Sequence, residues 1–157
     1  SPDPDSSPIQ CGEGPLAPAA DPPPALGAAS LKWGEFLRAQ ILWELTRWRT
    51  YQALARAPGS GGGSRLAALA LGRAKRMAAV LFLLTGVWYL PRSRATPRSW
   101  KTSREGYRLL FQGAQRAELR YRAAAQNNPD PVLGDLFRAL AAESAREQRQ
   151  LLQLLSQ

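Results

Sequence analysis

From Leu31 to the C-terminus, apolar residues recur three and four positions apart, and strict alternation is nowhere sustained. That period predicts four helices: residues 32–56 with Ser30 as N-cap, then 65–89, 103–126 and 132–156. Glycine and proline punctuate them. "APGSGGGS" (57–64) separates the first pair, and its 59–64 Gly/Ser stretch reads equally as natural low complexity or an insert. "NNPDP" (127–131) makes a tight turn between the last pair. "PRSRATPRSWKT" (91–102) links the second helix to the third. Helices of ~24 residues are ~36 Å long, and short loops make antiparallel hairpins. The middle link, extended at ~3.3 Å per residue, reaches ~40 Å, enough to return along a whole helix. The expected fold class is therefore all-α: a four-helix bundle of two antiparallel hairpins with a long crossover between the second and third helices. A plain up-down bundle is the alternative.

Residues 1–30 break the pattern. They are rich in Pro, Ala, Gly and Ser and offer little to bury, so 1–31 is expected to be an extended or disordered tail and 32–157 the folded domain. The longest apolar run, Met77–Leu90, has 14 residues. A membrane span needs ~18 or more, so a buried helix is expected and no transmembrane span.

The apolar stripes are interrupted by acids near mid-helix. The first reads Leu37, Ile41, Glu44, Trp48, Tyr51; the third Tyr107, Phe111, Ala114, Glu118, Tyr121; the fourth Leu140, Glu143, Glu147, Leu151. The second carries Ala70, Arg73, Ala74, Met77 and Leu81, and no acid at all. A buried carboxylate without a partner costs several kcal/mol or a large rise in pKa. Inward acids therefore require a cation in common: a metal, an arginine or shared protons. Arg73 and Arg76, with Arg146 on the fourth helix, are the core ion-pair candidates. The alternative is a rotated helix face that turns the acids to water.

Composition narrows the chemistry. The chain has no histidine and one cysteine, Cys11, which removes His-dependent triads, the usual general base near neutral pH, a disulfide framework and a cysteine zinc site. Its net charge is +9, and with four acids and no base in residues 1–30 the remainder carries +13. Such a body favours an acidic partner. Arg92, Arg94, Arg98, Lys101 and Arg104, with Trp100 among them, suit RNA phosphates or anionic lipid headgroups. Trp33, Phe36, Trp43 and Thr50 lie off the main stripe of the first helix, which points to other protein subunits as partners. The sequence holds no DNA-binding motif. It begins with Ser rather than Met, which fits loss of a transit peptide and equally a trimmed start. On that footing an organelle matrix or stroma is favoured over a bacterial cytoplasm.

"ELTRWRTYQALARA" and "AELRYRAAAQNNPDPVLGDLFRALAAES" together resemble the ferritin-like superfamily, in particular the rubrerythrin-like bundles. The resemblance covers about residues 32–156 and implies a Glu on the first and third helices and a Glu-x-x-His on the second and fourth, holding two iron or manganese ions. Glu44 and Glu118 stand at the first two positions. On the second helix Ala74-x-x-Met77 replaces the motif; on the fourth, Glu143-x-x-Arg146 or, one register along, Ser144-x-x-Glu147. The resemblance thus implies a degenerate site with Glu44, Glu118, Glu143 and Glu147 as vestigial ligands, no bound metal or other cofactor, and no catalysis. The expected function is a non-catalytic structural or interaction subunit of a larger assembly. Two alternatives stand beside it: an RNA-associated accessory protein such as an organellar ribosomal subunit, and a metal-binding oxidoreductase with a carboxylate-only site.

Overall fold

The computed structural model describes residues 24–57 and 61–157, with side-chain surroundings from residue 32 onward. Four α-helices and no strand occur among them: α1 (Pro24–Ala55), α2 (Gly63–Thr85), α3 (Ser103–Ala125) and α4 (Pro131–Leu155). α1 pairs with α2 and α3 with α4 as two hairpins. Residues 1–23 of the expected tail and 58–60 of the Gly/Ser loop lie outside the described residues.

Two helix ends differ from the sequence expectation. α1 begins at Pro24, so residues 24–31 are helical and Ser30 lies inside the helix instead of capping it. After Pro24, whose fixed φ suits a first helical turn, "ALGAAS" is rich in good helix formers. α2 ends at Thr85, four residues short of the expected 89. Gly86 takes φ 74° and donates its N–H to Phe82 O at 2.7 Å, a left-handed stop that a side chain would resist.

Contacts divide the chain into two compact units. The first comprises the described residues up to Arg49 with Ala68–Thr96; the second comprises Thr50–Ala67 with Pro97–Gln157. In the first, α1 and α2 close on Leu37, Ile41, Leu45, Ala74, Met77 and Leu81, all fully buried. Gly34 approaches Leu81 and Thr85, while Glu44 meets Arg73, so the two helices run antiparallel. The link beyond α2 is not loose. Val87, Leu90 and Ala95 are buried, and a single 3-10 turn (Arg92–Arg94) offers Arg92 O to Arg49 Nη2 at 3.3 Å.

In the second unit, α3 and α4 pack through Leu110, Ala114, Ala117, Tyr121, Leu133, Phe137 and Leu140. The Tyr121 and Phe137 rings stack at 6.4 Å. Their turn is built from its own side chains. Asn127 adopts φ 58°, Asn128 Nδ2 donates to Ala124 O, and Asp130 caps α4 by accepting from the N–H groups of Val132 and Leu133. Thr102 caps α3 by accepting from Glu105 N, while Glu105 Oε2 accepts from Lys101 N. Arg98 N donates to Thr50 Oγ1, which ties the link to the C-terminal part of α1. Gly106 then lets α3 approach Leu54 and Trp100, whose nearest atoms lie 2.8 and 3.2 Å from where a Cβ would stand.

Candidate functional site

Within the first unit, Glu44 sits in the middle of α1 and is completely buried. Its partner comes from the acid-free helix. Arg73 Nε donates to Glu44 Oε2 at 3.0 Å, and the Arg73 side chain is 2% exposed. Arg73 follows Ala70 and precedes Met77 on the inward stripe of α2, and with Ala74 all four are buried. Arg76 lies on the exposed side of α2, so it is not part of the buried ion pair.

The second unit treats its acids differently. Glu147 is buried on α4 and accepts a short hydrogen bond from Tyr51 OH, also buried. Ser144, one turn earlier, is buried and bonds back to Leu140 O at 3.0 Å. The inward register of α4 is therefore Ser144-x-x-Glu147. Glu143 is half-buried and Arg146 exposed, so Arg146 is not a core cation either.

Glu118 does not point into the core. The buried face of α3 is centred on Leu110, Ala114, Ala117 and Tyr121, one position round from the expected stripe, which leaves Phe111 and Glu118 at its edge. Glu118 keeps 21% of its side-chain surface and pairs with Arg122 Nη2 at 2.5 Å. Gln148 Nε2 donates to its other oxygen at 2.7 Å. The Gln148 hydrogen bond, followed by the bond and charge of Arg122 and the charge of Arg149, holds this carboxyl below its ordinary pKa despite some opposing desolvation.

These positions test the donor set that the resemblance implies. Among the described residues no three His, Cys, Asp or Glu side chains stand where they could hold a metal ion. Glu44 is met from α2 by the Arg73 guanidinium, and the two resemblance positions on that helix hold Ala74, with no donor atom, and Met77, whose thioether is a poor ligand for iron or manganese. Arg73, Ala74 and Met77 do not fit the α2 side of a carboxylate-bridged metal pair.

The predicted anion-binding residues fall in both units and are mostly open to solvent. In the first, Arg94 is exposed and Arg92 half-buried; in the second, Arg98, Lys101 and Arg104 are exposed and Trp100 is half-buried against Gly106. The off-stripe aromatics of α1 are partly covered by their own neighbours. Trp33 and Phe36 meet edge to face at 5.6 Å, and Arg47 lies over Trp43 at 4.7 Å. Thr50 is buried. The apolar surface that sequence reasoning missed is on α2, where Phe82 and Leu83 are 48% and 79% exposed. "VLFLL" is apolar on every side of a helix, so periodicity gave no outward face to single out. No helix among the described residues is long and apolar enough to cross a membrane.

The chain matches no protein-family model, no curated protein and no solved structure.

Proposed function

We propose that this protein is a non-catalytic interaction subunit, built on a helical bundle of the ferritin-like kind whose dimetal site has been lost. In this reading the two hairpins are joined by a long crossover and the protein works by docking to other subunits. The buried Arg73–Glu44 pair carries the proposal. An arginine that neutralises a mid-helix glutamate does, inside the protein, what a metal would otherwise do, and it repels a metal from that carboxylate. Ala74 and Met77 on the same helix supply nothing that would offset this. The exposed Phe82 and Leu83 support a docking role, since neighbouring large apolar side chains left in water favour a protein partner.

The test is metal content and native size. Protein purified from cells grown with added iron and manganese is expected to hold well under one equivalent of either. In native extract it is expected to migrate as part of a larger complex. Two equivalents of iron or manganese per chain would overturn the reading in favour of a carboxylate-only oxidoreductase. A free monomer at native concentration would remove the subunit role.

A further inference from the structure

We infer that the solvent face of α3 is a docking track for single-stranded nucleic acid, its arginines meeting backbone phosphates and its C-terminal end seating a base. The inference rests on the reading that this protein works by docking, and it names the chemistry of one partner.

α3 begins with its cap at Thr102, and Arg104 and Arg108 follow in its first two turns. At 3.6 residues per turn, Arg104, Arg108 and Arg122 fall within about 40° of one line along the helix, with Arg116 about a third of a turn from Arg104 and Arg122. All four are exposed. Arg104 to Arg122 spans about 27 Å at 1.5 Å per residue.

This arrangement works against the helix itself. A cation in the first turn faces the positive end of the helix dipole. Two like charges four residues apart repel. Among the described residues no ion pair offsets either cost at Arg104, Arg108 or Arg116. Of the two acids of α3, Glu105 accepts the Lys101 N–H at the cap, and Glu118 borders the track, paired with its last arginine, Arg122, and with Gln148. An anionic partner would offset both costs at Arg104 and Arg108.

At the end of the track an open groove of about 440 Å³ lies between α3 and α4, lined by Arg122, Gln126, Arg138, Ala125, Ala141 and Ala142, with Arg122 paired to Glu118 and Arg138 to Asp135 at its rim. Small apolar side chains flanked by two guanidiniums and a carboxamide suit an unstacked base, since guanidinium planes stack on bases and the amide reads their edges. The chain's cations are 18 Arg against 3 Lys, the choice that favours bidentate contact with phosphate. Leu119 is the one large apolar side chain on the exposed face of α3, and the helix's apolar face is buried, so nothing there inserts into lipid.

The experiment is fluorescence anisotropy of a labelled single-stranded RNA of about 20 nucleotides, with KCl varied from about 50 to 200 mM. Four phosphate contacts predict a slope of log K against log salt near −3, since single strands release ~0.7 counterion per contact. R104Q/R108Q should weaken binding about tenfold or more and roughly halve the slope. R122Q/R138Q should weaken it while circular dichroism stays unchanged. K32Q/K75Q removes the same charge from exposed sites of the first unit and should leave binding near wild type. Single-stranded DNA of equal length should bind within about tenfold of RNA, because backbone phosphate carries the contact. Four results would overturn the inference: no binding at the lowest salt, an equal loss in K32Q/K75Q, competition by polyglutamate as effective per charge as RNA, or binding to anionic vesicles alone. None of them bears on metal content, so the docking reading would survive with a different partner.

Discussion

Arg73 Nε and Glu44 Oε2 lie 3.0 Å apart with side chains 2% and 0% exposed, so each charge is answered only by protein. Removing one partner alone strands a buried ion. Arg73→Met is expected to cost about 3–5 kcal/mol in urea unfolding, whereas Glu44→Gln with Arg73→Met should recover much of that loss. A single-variant cost under ~1 kcal/mol would mean that water reaches the pair.

Tyr51 and Glu147 form the corresponding buried contact of the second unit. Tyr51→Phe deletes the donor and leaves the carboxylate short of a hydrogen bond, at an expected cost of about 1–3 kcal/mol. Combined with Glu147→Gln it should show coupling of similar sign in a double-mutant cycle; strict additivity would mean the two groups do not interact in solution.

Two helix glycines should respond oppositely to alanine. Gly72 has no atom within 4 Å of where a Cβ would stand, so Gly72→Ala should stabilise α2 by about 0.5–1 kcal/mol. At Gly106 a Cβ meets fully buried Leu54 at 2.8 Å and Trp100 Cγ at 3.2 Å. Gly106→Ala should cost about 1–3 kcal/mol by overpacking. Thermal melts of both variants decide it, and equal shifts would contradict the packing described.

The lowered pKa of Glu118 makes a signed pH prediction. A carboxyl depressed in the folded state adds stability above its unfolded value near ~4.3, and that stability is lost as pH falls through the folded value. Gln148→Ala should move the carboxyl resonance of Glu118 back toward the ordinary range in an NMR titration and weaken the acid-side fall in stability. An unchanged midpoint would assign the shift to Arg122 and Arg149 instead.

Helix number and pairing were legible because a 3.6-residue period, broken by glycine and proline, leaves few other solutions. The start of α1 was hidden by the proline density ahead of it, although "ALGAAS" favours helix. The end of α2 was hidden because its apolar run continues to Leu90, while Gly86 stops the helix through a backbone conformation that no side-chain pattern displays. Arg73 stood out as a charge on an apolar stripe. Glu118 was misplaced because Leu110 and Phe111 are both apolar, so the stripe of α3 can be drawn one position either way, and only packing against α4 selects Ala117 for the inside.

The turn of Asn127, Asn128 and Asp130 has a kinetic consequence. Its caps are satisfied by residues within a few positions of each other, so closing the α3–α4 hairpin takes little chain entropy. Tyr51 must instead find Glu147 across 96 positions of sequence. Assembly is expected to run from the hairpin outward: Asp130→Ala should slow refolding, and Tyr51→Phe should act almost wholly by hastening unfolding. The tyrosine would then serve as a late latch, closed after the rate-limiting step has passed.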